Sequence, residues 1–231
     1  MGTTVLLLHA FPVGPEMWEP QLEALSAYDV QVPCLVGRGD SMDGWAEQLL
    51  AENEGDLVLI GASMGGYCAL AIAKRTPERL RGLVLVGSHA SADPPEGKIW
   101  RDESIARVRK QGVLAQWQTM RDYAIGAEVD PVAAKRLEDA VAGLSREGVV
   151  QELTAMIGRV DTNDVVRALP CPLLMIAGEH DQGVIDESKK LVELAPDAEL
   201  VIVPGANHLV SFQRPDVVNP VLLGFLERCI A

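Results

Sequence analysis

The sequence predicts an α/β protein with a parallel sheet of six strands, covered by helices and interrupted by a helical insertion. Two observations support this prediction. Short continuous apolar runs recur at helix-length intervals, and between the fourth and fifth runs the spacing of apolar residues is helical only. Continuous apolar runs are typical of strands buried on both faces, as in parallel sheets. The predicted strands cover residues 5–8, 30–35, 57–60, 83–86, 173–176 and 200–203.

Composition indicates a globular chain with a sizeable core. The chain has 231 residues, of which 48% are hydrophobic and 23% charged, and this excludes collagen-like, coiled-coil and disordered classes. A chain of this length buries enough surface to fold without disulfide or metal staples. The net charge of −13 repels phosphate backbones and anionic membranes, so neither nucleic acid nor membrane is expected as a partner.

The cysteines and the first apolar run indicate the cellular compartment in which the protein is expected. Cys34, Cys68, Cys171 and Cys229 form no C-x-x-C pair, and no histidine stands at metal-finger spacing. We interpret them as free thiols in a reducing compartment and expect no metal site. The apolar run at residues 5–8 is too short for a membrane span or a signal-peptide core. A cytoplasmic location is therefore expected.

The helical insertion is predicted over residues 89–165, with residues 1–88 and 166–231 forming the α/β core. Asp130 followed by Pro131 is typical of a helix N-cap with proline in the first turn, and residues 146–148 are predicted to form a turn between two helices. The residues at helical spacing fall into three groups. They are Val113, Trp117, Met120 and Ala124, then Ala133, Leu137, Ala140, Val141 and Leu144, then Val149, Leu153, Met156, Ile157 and Val160.

A candidate nucleophile lies at the end of the third predicted strand. Residues 61–65 read Gly-Ala-Ser-Met-Gly and match G-x-S-x-G, with a strand pattern before them and a helix pattern after them. Such a turn needs small flanking residues, because it holds the serine in a strained conformation with its hydroxyl exposed. We predict Ser63 as the nucleophile. The Met64 N–H, at the start of the helix, could stabilise an anion there.

A serine hydroxyl needs a base, and the chain has four histidines. His208 follows the last predicted strand, where a loop could place it on Ser63. His9 precedes the nucleophile, and His89 lies where the helical insertion begins. His180 is better interpreted as a loop residue, so His208 is the predicted base.

The third member of the site must orient the histidine and stabilise its charged form. Asp181 follows the fifth predicted strand, at the carboxyl edge where an open parallel sheet builds its site. Asp93, after the preceding strand, is the main alternative, and Glu179 is a weaker one. The sequence favours Asp181.

Ser63, Asp181 and His208 occur in the chain order of α/β-hydrolase-fold serine hydrolases, which the chain resembles over nearly its whole length. In this family the helical insertion corresponds to a variable cap. The segment Leu-His-Ala-Phe-Pro at residues 8–12 resembles the family's oxyanion loop. The resemblance therefore implies that the Phe11 N–H is a second oxyanion donor beside Met64.

Other positions agree with the family or depart from it. Trp18 and residues 37–41 match recurring family positions, whereas Ala10 and Asn207 stand where glycine is common. The chain also begins at the strand leading into the oxyanion loop, so the family's first two strands are expected to be absent. That expectation gives the six-stranded, all-parallel sheet.

Within the family, the chain looks most like small bacterial carboxylesterases and 3-oxoadipate enol-lactonase-like proteins. The resemblance implies acyl transfer from a small ester or lactone, without metal or cofactor. C–C bond hydrolases and lyases with the same triad remain alternatives, as does a ligand receptor built on the hydrolase fold. The motifs leave the acyl group, the alcohol and the oligomeric state open.

Large side chains of the helical insertion are candidates for the substrate pocket. Each could instead pack between helices of the insertion, and for any one of them packing is the stronger expectation. The candidates are Trp100, Trp117, Met120, Tyr123 and Met156.

Overall fold

The computed structural model describes residues 2–230; residues 1 and 231, the outer ends of the two predicted core segments, lie outside the described residues. The strands are β1 (Thr3–Leu8), β2 (Asp29–Gln31), β3 (Asp56–Ala62), β4 (Leu80–Val86), β5 (Leu173–Gly178) and β6 (Ala198–Val203). They form one sheet in the order β2-β1-β3-β4-β5-β6, and all neighbouring pairs are parallel. The predicted six-stranded α/β fold is confirmed.

Helices connect the strands in the described part of the chain. They are α1 (Glu19–Leu22), α2 (Met42–Glu52), α3 (Met64–Arg75), α4 (Pro95–Gln111), α5 (Val113–Ile125), α6 (Pro131–Gly143), α7 (Arg146–Ile157), α8 (Asn163–Arg167), α9 (Gln182–Leu194), α10 (Val210–Gln213) and α11 (Pro215–Cys229). Helices α3, α9 and α11 pack on strands of the sheet. Between residues 2 and 230, no helix combines the length and apolarity needed to cross a bilayer.

The core is formed by the inner strands and the helices that cover them. Strands β1, β3, β4 and β5 are buried along nearly their whole length, whereas β2 and β6, at the two edges, are more exposed. Because all strands run in one direction, the segments that follow them meet at one edge of the sheet. That edge receives Ser63 after β3, Asp181 after β5 and His208 after β6.

Strand β2 is shorter than predicted. The sequence predicts a strand over residues 30–35, but β2 ends at Gln31. Pro33 has no N–H to donate to a strand ladder, and proline in a sheet is confined to edges. Beyond it the Leu35 N–H donates to Nε2 of His9 at 2.8 Å instead of to a strand.

The helices α4 to α7 all fall within residues 89–165, whose boundaries as a separate unit stay a prediction. Asp130 is the N-cap of α6 as expected, since its carboxylate accepts from the Ala133 N–H at 2.8 Å. The turn predicted at residues 146–148 is wrong, because these residues begin α7 and the Ser145 hydroxyl caps it. Helix α4 has no apolar pattern, and of its seventeen residues only Ser104 and Val108 are buried.

Candidate active site

Ser63 occupies a sharp turn between β3 and α3. Its φ of 48° and ψ of −111° make it the one non-glycine residue with positive φ in the described part of the chain. Such a conformation costs on the order of 1–3 kcal/mol and persists only where its surroundings hold it. The Ser63 N–H donates to the Val86 carbonyl at 2.8 Å, and its own carbonyl accepts from the Ser88 hydroxyl at 2.8 Å.

The glycine after this turn is required by close packing. A Cβ on Gly65 would lie 2.1 Å from the Leu8 carbonyl oxygen, in β1. Any side chain there would push α3 away from the sheet. The second glycine of the G-x-S-x-G pattern is therefore explained by this backbone contact.

Ser63, His208 and Asp181 form a continuous hydrogen-bonded chain. Nε2 of His208 lies 2.9 Å from the Ser63 hydroxyl oxygen, and its Nδ1 lies 2.5 Å from Oδ2 of Asp181. Asp181 is 4% exposed, so its carboxylate is sheltered from water. The arrangement can take a proton from the hydroxyl at Nε2 while the carboxylate stabilises the imidazolium that results.

The hydrogen bonds of the other candidate bases in the described chain do not include Ser63. His9 is fully buried, accepts from the Leu35 N–H at Nε2 and contacts the Ala10 carbonyl through Nδ1. Burial lowers the pKa of His9 to about 4, so it is neutral and holds the loop in place. His180 is exposed on the surface. His89 lies 3.1 Å from the Tyr67 hydroxyl, and its pKa is likewise lowered to about 4, mainly by burial.

The other candidate acids also have different partners. Asp93 pairs with Arg101 and Arg159. Despite the opposing effect of burial, these guanidiniums hold the pKa of Asp93 below its ordinary value. Glu179 accepts from the Gly205 N–H at 2.8 Å and braces the loop after β6. Of the three carboxylates, Asp181 is the one in contact with His208.

Tyr123 of α5 contacts both Asp181 and His208. Its hydroxyl donates to Oδ1 of Asp181 at 3.1 Å and lies 3.0 Å from Nδ1 of His208. The two rings stack with centroids 4.8 Å apart. Desolvation, with the Asp181 carboxylate next, raises the pKa of Tyr123, so the phenol stays protonated and acts as a donor.

The loop that carries His208 is docked on the C-terminal end of α5. The last four carbonyls of a helix lack partners within it, and here all four accept from this loop or from α10. The Asp122 carbonyl accepts from Nδ2 of Asn207 at 3.4 Å, and the Tyr123 carbonyl accepts from the His208 N–H at 3.4 Å. The Ala124 carbonyl accepts from the Leu209 N–H at 2.8 Å, and the Ile125 carbonyl accepts from Nε2 of Gln213 at 2.6 Å. Asn207, unusual for the family at this position, thus joins the loop to α5.

The two residues predicted as oxyanion donors, Met64 and Phe11, both lie near Ser63. Met64 is the first residue of α3, where a backbone N–H has no partner within the helix. Phe11 lines the same cavity as Ser63. Ala10 is buried; its N–H donates to the Met17 sulfur at 3.1 Å and its carbonyl accepts from the Val13 N–H at 3.2 Å, which fixes the path of this loop.

A cavity of about 170 Å³ opens beside Ser63 and His208. Four of the five predicted pocket residues line it: Trp100, Met120, Tyr123 and Met156. The pocket role predicted for Trp117 is corrected, because Trp117 is fully buried and does not line this cavity. Its ring packs into the core between helices, which is the alternative that helical spacing left open.

The cavity also has lining residues that sequence reasoning missed. Tyr67, His89, Arg101 and Val184 line it in addition to the predicted residues. Tyr67 lies one helical turn after Ser63 on α3, and that spacing could have identified it. Arg101 lies on α4, which has no apolar pattern, so nothing in its neighbourhood indicated which face meets the cavity.

Comparison with known proteins extends these observations. The family model described as the alpha/beta hydrolase family matches residues 5–221. The pimeloyl-(acyl-carrier protein) methyl ester esterase of Aromatoleum aromaticum is 28% identical over 223 residues, which are 92% of this chain and 86% of that protein. Polyketide synthase ThaQ of Burkholderia thailandensis is 28% identical over 185 residues, which are 77% of this chain but 9% of the synthase. The chain thus spans less than a tenth of that relative's length.

Two solved structures share the architecture. A thermophilic esterase from Thermogutta terrifontis has a TM-score of 0.88 and 29% identity, over 100% of this chain and 92% of that chain. An enol-lactonase from Burkholderia xenovorans has a TM-score of 0.86 and 21% identity, over 98% and 92% of the two chains. At its lower identity, the second likeness concerns the fold alone.

Proposed function

The chain belongs to the alpha/beta hydrolase family and is an enzyme of the hydrolase type, and from this premise we propose that it cleaves a small carboxylic ester or lactone. In this proposal the reaction passes through an acyl-enzyme on Ser63. His208 is the general base and acid, and Asp181 orients it. The Phe11 and Met64 N–H groups bind the oxyanion.

The observation that carries the proposal is the unbroken hydrogen-bonded chain from Ser63 through His208 to Asp181. The 2.9 Å contact between Ser63 and His208 is within reach for proton transfer, and the 2.5 Å contact between His208 and Asp181 is a hydrogen bond that can orient the imidazole. The strained turn at Ser63 supports the same assignment, because a conformation this costly is typical of functional sites.

The proposed reaction has two halves. The Ser63 oxygen attacks the carbonyl carbon as Nε2 of His208 takes its proton, and a tetrahedral oxyanion forms. The oxyanion collapses, the bond to the alcohol oxygen breaks, and His208 returns the proton to that oxygen. Water, deprotonated by His208, then attacks the acyl-enzyme and releases the acid and Ser63.

The contributions of these groups to the reaction rate are expected to be those typical of enzymes. General acid–base catalysis typically supplies about 10²–10⁴-fold, and one oxyanion donor about 10²–10³-fold. The small cavity favours a small substrate, since its 170 Å³ lies below the roughly 300–1,000 Å³ of sites for drug-sized ligands. The esterases among the similar proteins support an ester substrate for this chain.

The first prediction is that Ser63 is the reactive serine. A fluorophosphonate probe should add one label per chain, which peptide mapping should place on the peptide containing Ser63. Ser63→Ala should abolish both the label and the turnover of short aryl esters. The exposed Ser26→Ala is the matched control and should behave like the parent protein.

Some outcomes would contradict the proposal. Label that persists in Ser63→Ala would remove Ser63 from the mechanism. A labelled enzyme that turns over neither esters nor lactones but cleaves a C–C substrate would move the reaction to that class. One slow turnover per chain, with no further cycles, would favour a ligand receptor.

A further inference from the structure

A buried cluster with an excess of positive charge adjoins the proposed active site. Asp93 accepts from Nε of Arg101, from Nη2 of Arg101 at 3.1 Å and from Nη1 of Arg159 at 2.8 Å. The side chains of Arg101, Asp93 and Arg159 are only 12%, 7% and 5% exposed. One carboxylate therefore faces two guanidiniums, and buried charges are normally balanced by partners.

Arg159 is enclosed by protein groups. Its guanidinium lies 3.9 Å from the centre of the Tyr67 ring, and its Nη2 donates to the Ser91 carbonyl at 3.2 Å. Stacking over an aromatic ring and hydrogen bonds to carbonyl oxygens both stabilise a buried guanidinium. Arg159 is therefore a structural partner of Asp93 and does not line the cavity beside Ser63.

Arg101 differs from Arg159, because it lines the cavity that contains Ser63 and His208. Two of its nitrogens bind Asp93. The third, Nη1, has as its partner in the described chain the thioether sulfur of Met156, at 3.1 Å. A thioether is a weak acceptor, and a methionine side chain moves easily. Nη1 thus retains donor capacity beside the cavity.

Neither Glu187 nor His89, two titratable groups next to the cluster, cancels this excess. Glu187 pairs with Lys190 at 2.6 Å and accepts from the Ser91 hydroxyl at 2.6 Å. His89 is neutral at ordinary pH, since burial and the neighbouring Arg159 lower its pKa to about 4. Among the described residues that line the cavity, none is a carboxylate. The net charge of −13 acts from a distance and is largely screened beyond about 8 Å at physiological salt.

We infer that the cavity is built for a short ester that carries a carboxylate, which Arg101 binds through Nη1. This inference rests on the proposed esterase function and specifies its substrate class. A carboxylate suits the site better than a phosphate group, because its single negative charge matches the single unbalanced guanidinium, whereas a phosphate group carries about −1.5 to −2 at pH 7. With the substrate carboxylate bound, two carboxylates, its own and that of Asp93, would face the two guanidiniums of Arg101 and Arg159.

The test compares esters that differ only in charge. The first pair is monomethyl succinate and the methyl ester of succinamic acid, which have the same length and carry the carboxylate or amide on the acyl side. The second pair is acetoxyacetate and acetoxyacetamide, which also have the same length and carry the carboxylate or amide on the alcohol side. In at least one pair, the parent should prefer the acid by roughly 10- to 100-fold in kcat/KM, the range for a hydrogen bond to a charged group. Arg101→Gln should reduce that ratio to near one, and Arg101→Lys should keep part of it.

A matched control separates local binding from overall charge. Arg109→Gln, at an exposed position on the same helix, makes the same change in net charge and should leave the acid-to-amide ratio unchanged. Fluorophosphonate labelling of Ser63 in each variant reports whether the site is intact. If Arg101→Gln fails to fold, the Arg101→Lys variant and the parent protein still decide the question. In the parent, succinate should slow labelling of Ser63 more strongly than succinamide does.

The two proposals fail in different ways. If Ser63-dependent turnover has an acid-to-amide ratio near one in both pairs, or succinate protects no better than succinamide, the charged substrate class is overturned and the esterase function stands. If Ser63 is not labelled and no ester is turned over, the esterase function itself is overturned. A ratio that falls equally in Arg101→Gln and Arg109→Gln would remove Arg101 as the binding group.

Discussion

At the scale of single residues, the site depends on side chains that touch other side chains far away in sequence. The proximity of Ser63, Asp181 and His208 could be predicted because each follows a strand, and parallel strands bring their carboxyl ends to one edge. The contacts of Tyr123 could not be predicted in this way. Its hydroxyl reaches Asp181 only because α5 ends beside the His208 loop, and no local pattern encodes that placement.

Tyr123 is predicted to position Asp181, the acid of the proposed triad. Tyr123→Phe keeps the ring on His208 but removes the donor to the Asp181 carboxylate. Hydrogen bonds to charged groups are worth about 1.5–3 kcal/mol, and water can replace part of this at a half-exposed residue, so we expect kcat/KM to fall about 10-fold. Steady-state kinetics on a short ester measure this, with Tyr28→Phe as the control. An unchanged rate would limit Tyr123 to lining the pocket.

At the scale of elements, sequence patterns identified those with strong apolar periodicity. The inner strands were found because they are continuous apolar runs, and α5 to α7 because their apolar residues recur at helical spacing. Strand β2 was predicted too long because Pro33 lies inside an otherwise apolar run, and α4 was missed because little of it is buried. The turn at residues 146–148 was misplaced, since Gly148 serves there as a close contact with Val36 inside a helix.

The junction between α5 and the His208 loop gives an element-scale prediction. Gln213 joins the two, donating to the Ile125 carbonyl at 2.6 Å and accepting from the Asn207 N–H at 2.7 Å. Gln213→Ala removes both hydrogen bonds and should lower the free energy of unfolding by about 1–2 kcal/mol. Because Asn207 precedes His208, kcat should fall as well, by roughly 3- to 10-fold.

Urea unfolding and ester kinetics test this together. Gln118→Ala, on the exposed surface of α5, is the control and should change neither quantity. A loss of stability at unchanged kcat would mean that the junction supports the fold without positioning His208.

At the scale of the whole molecule, buried histidines make stability depend on pH. The pKa of His9 is about 4 in the folded protein, against about 6.5 when unfolded. Below pH 6.5 the unfolded chain binds a proton that the folded protein does not, so stability falls as pH decreases toward 4. The full effect of His9 is roughly 3 kcal/mol, and about 2 kcal/mol of it develops between pH 6.5 and 5.

The prediction is a difference between two proteins. From pH 7 to pH 5, the parent should lose about 2 kcal/mol more unfolding free energy than His9→Gln. His89 acts in the same direction as His9, and Glu152, whose pKa burial raises, acts in the opposite direction, but both are present in each protein. Urea titrations at the two pH values provide the measurement, with the exposed His180→Gln as control. Equal losses in parent and His9→Gln would mean that His9 is protonated in the folded state.

The docking of α5 on the His208 loop limits how freely the segment between β4 and β5 can be exchanged for another during evolution or design. A segment inserted between two strands is ordinarily a module that can be replaced without touching the rest. Here four donors of the loop and α10 end on the carbonyls of one inserted helix, and Tyr123 of that helix holds Asp181. A transplanted segment would have to reproduce that helix end, or it would leave His208 displaced from Ser63.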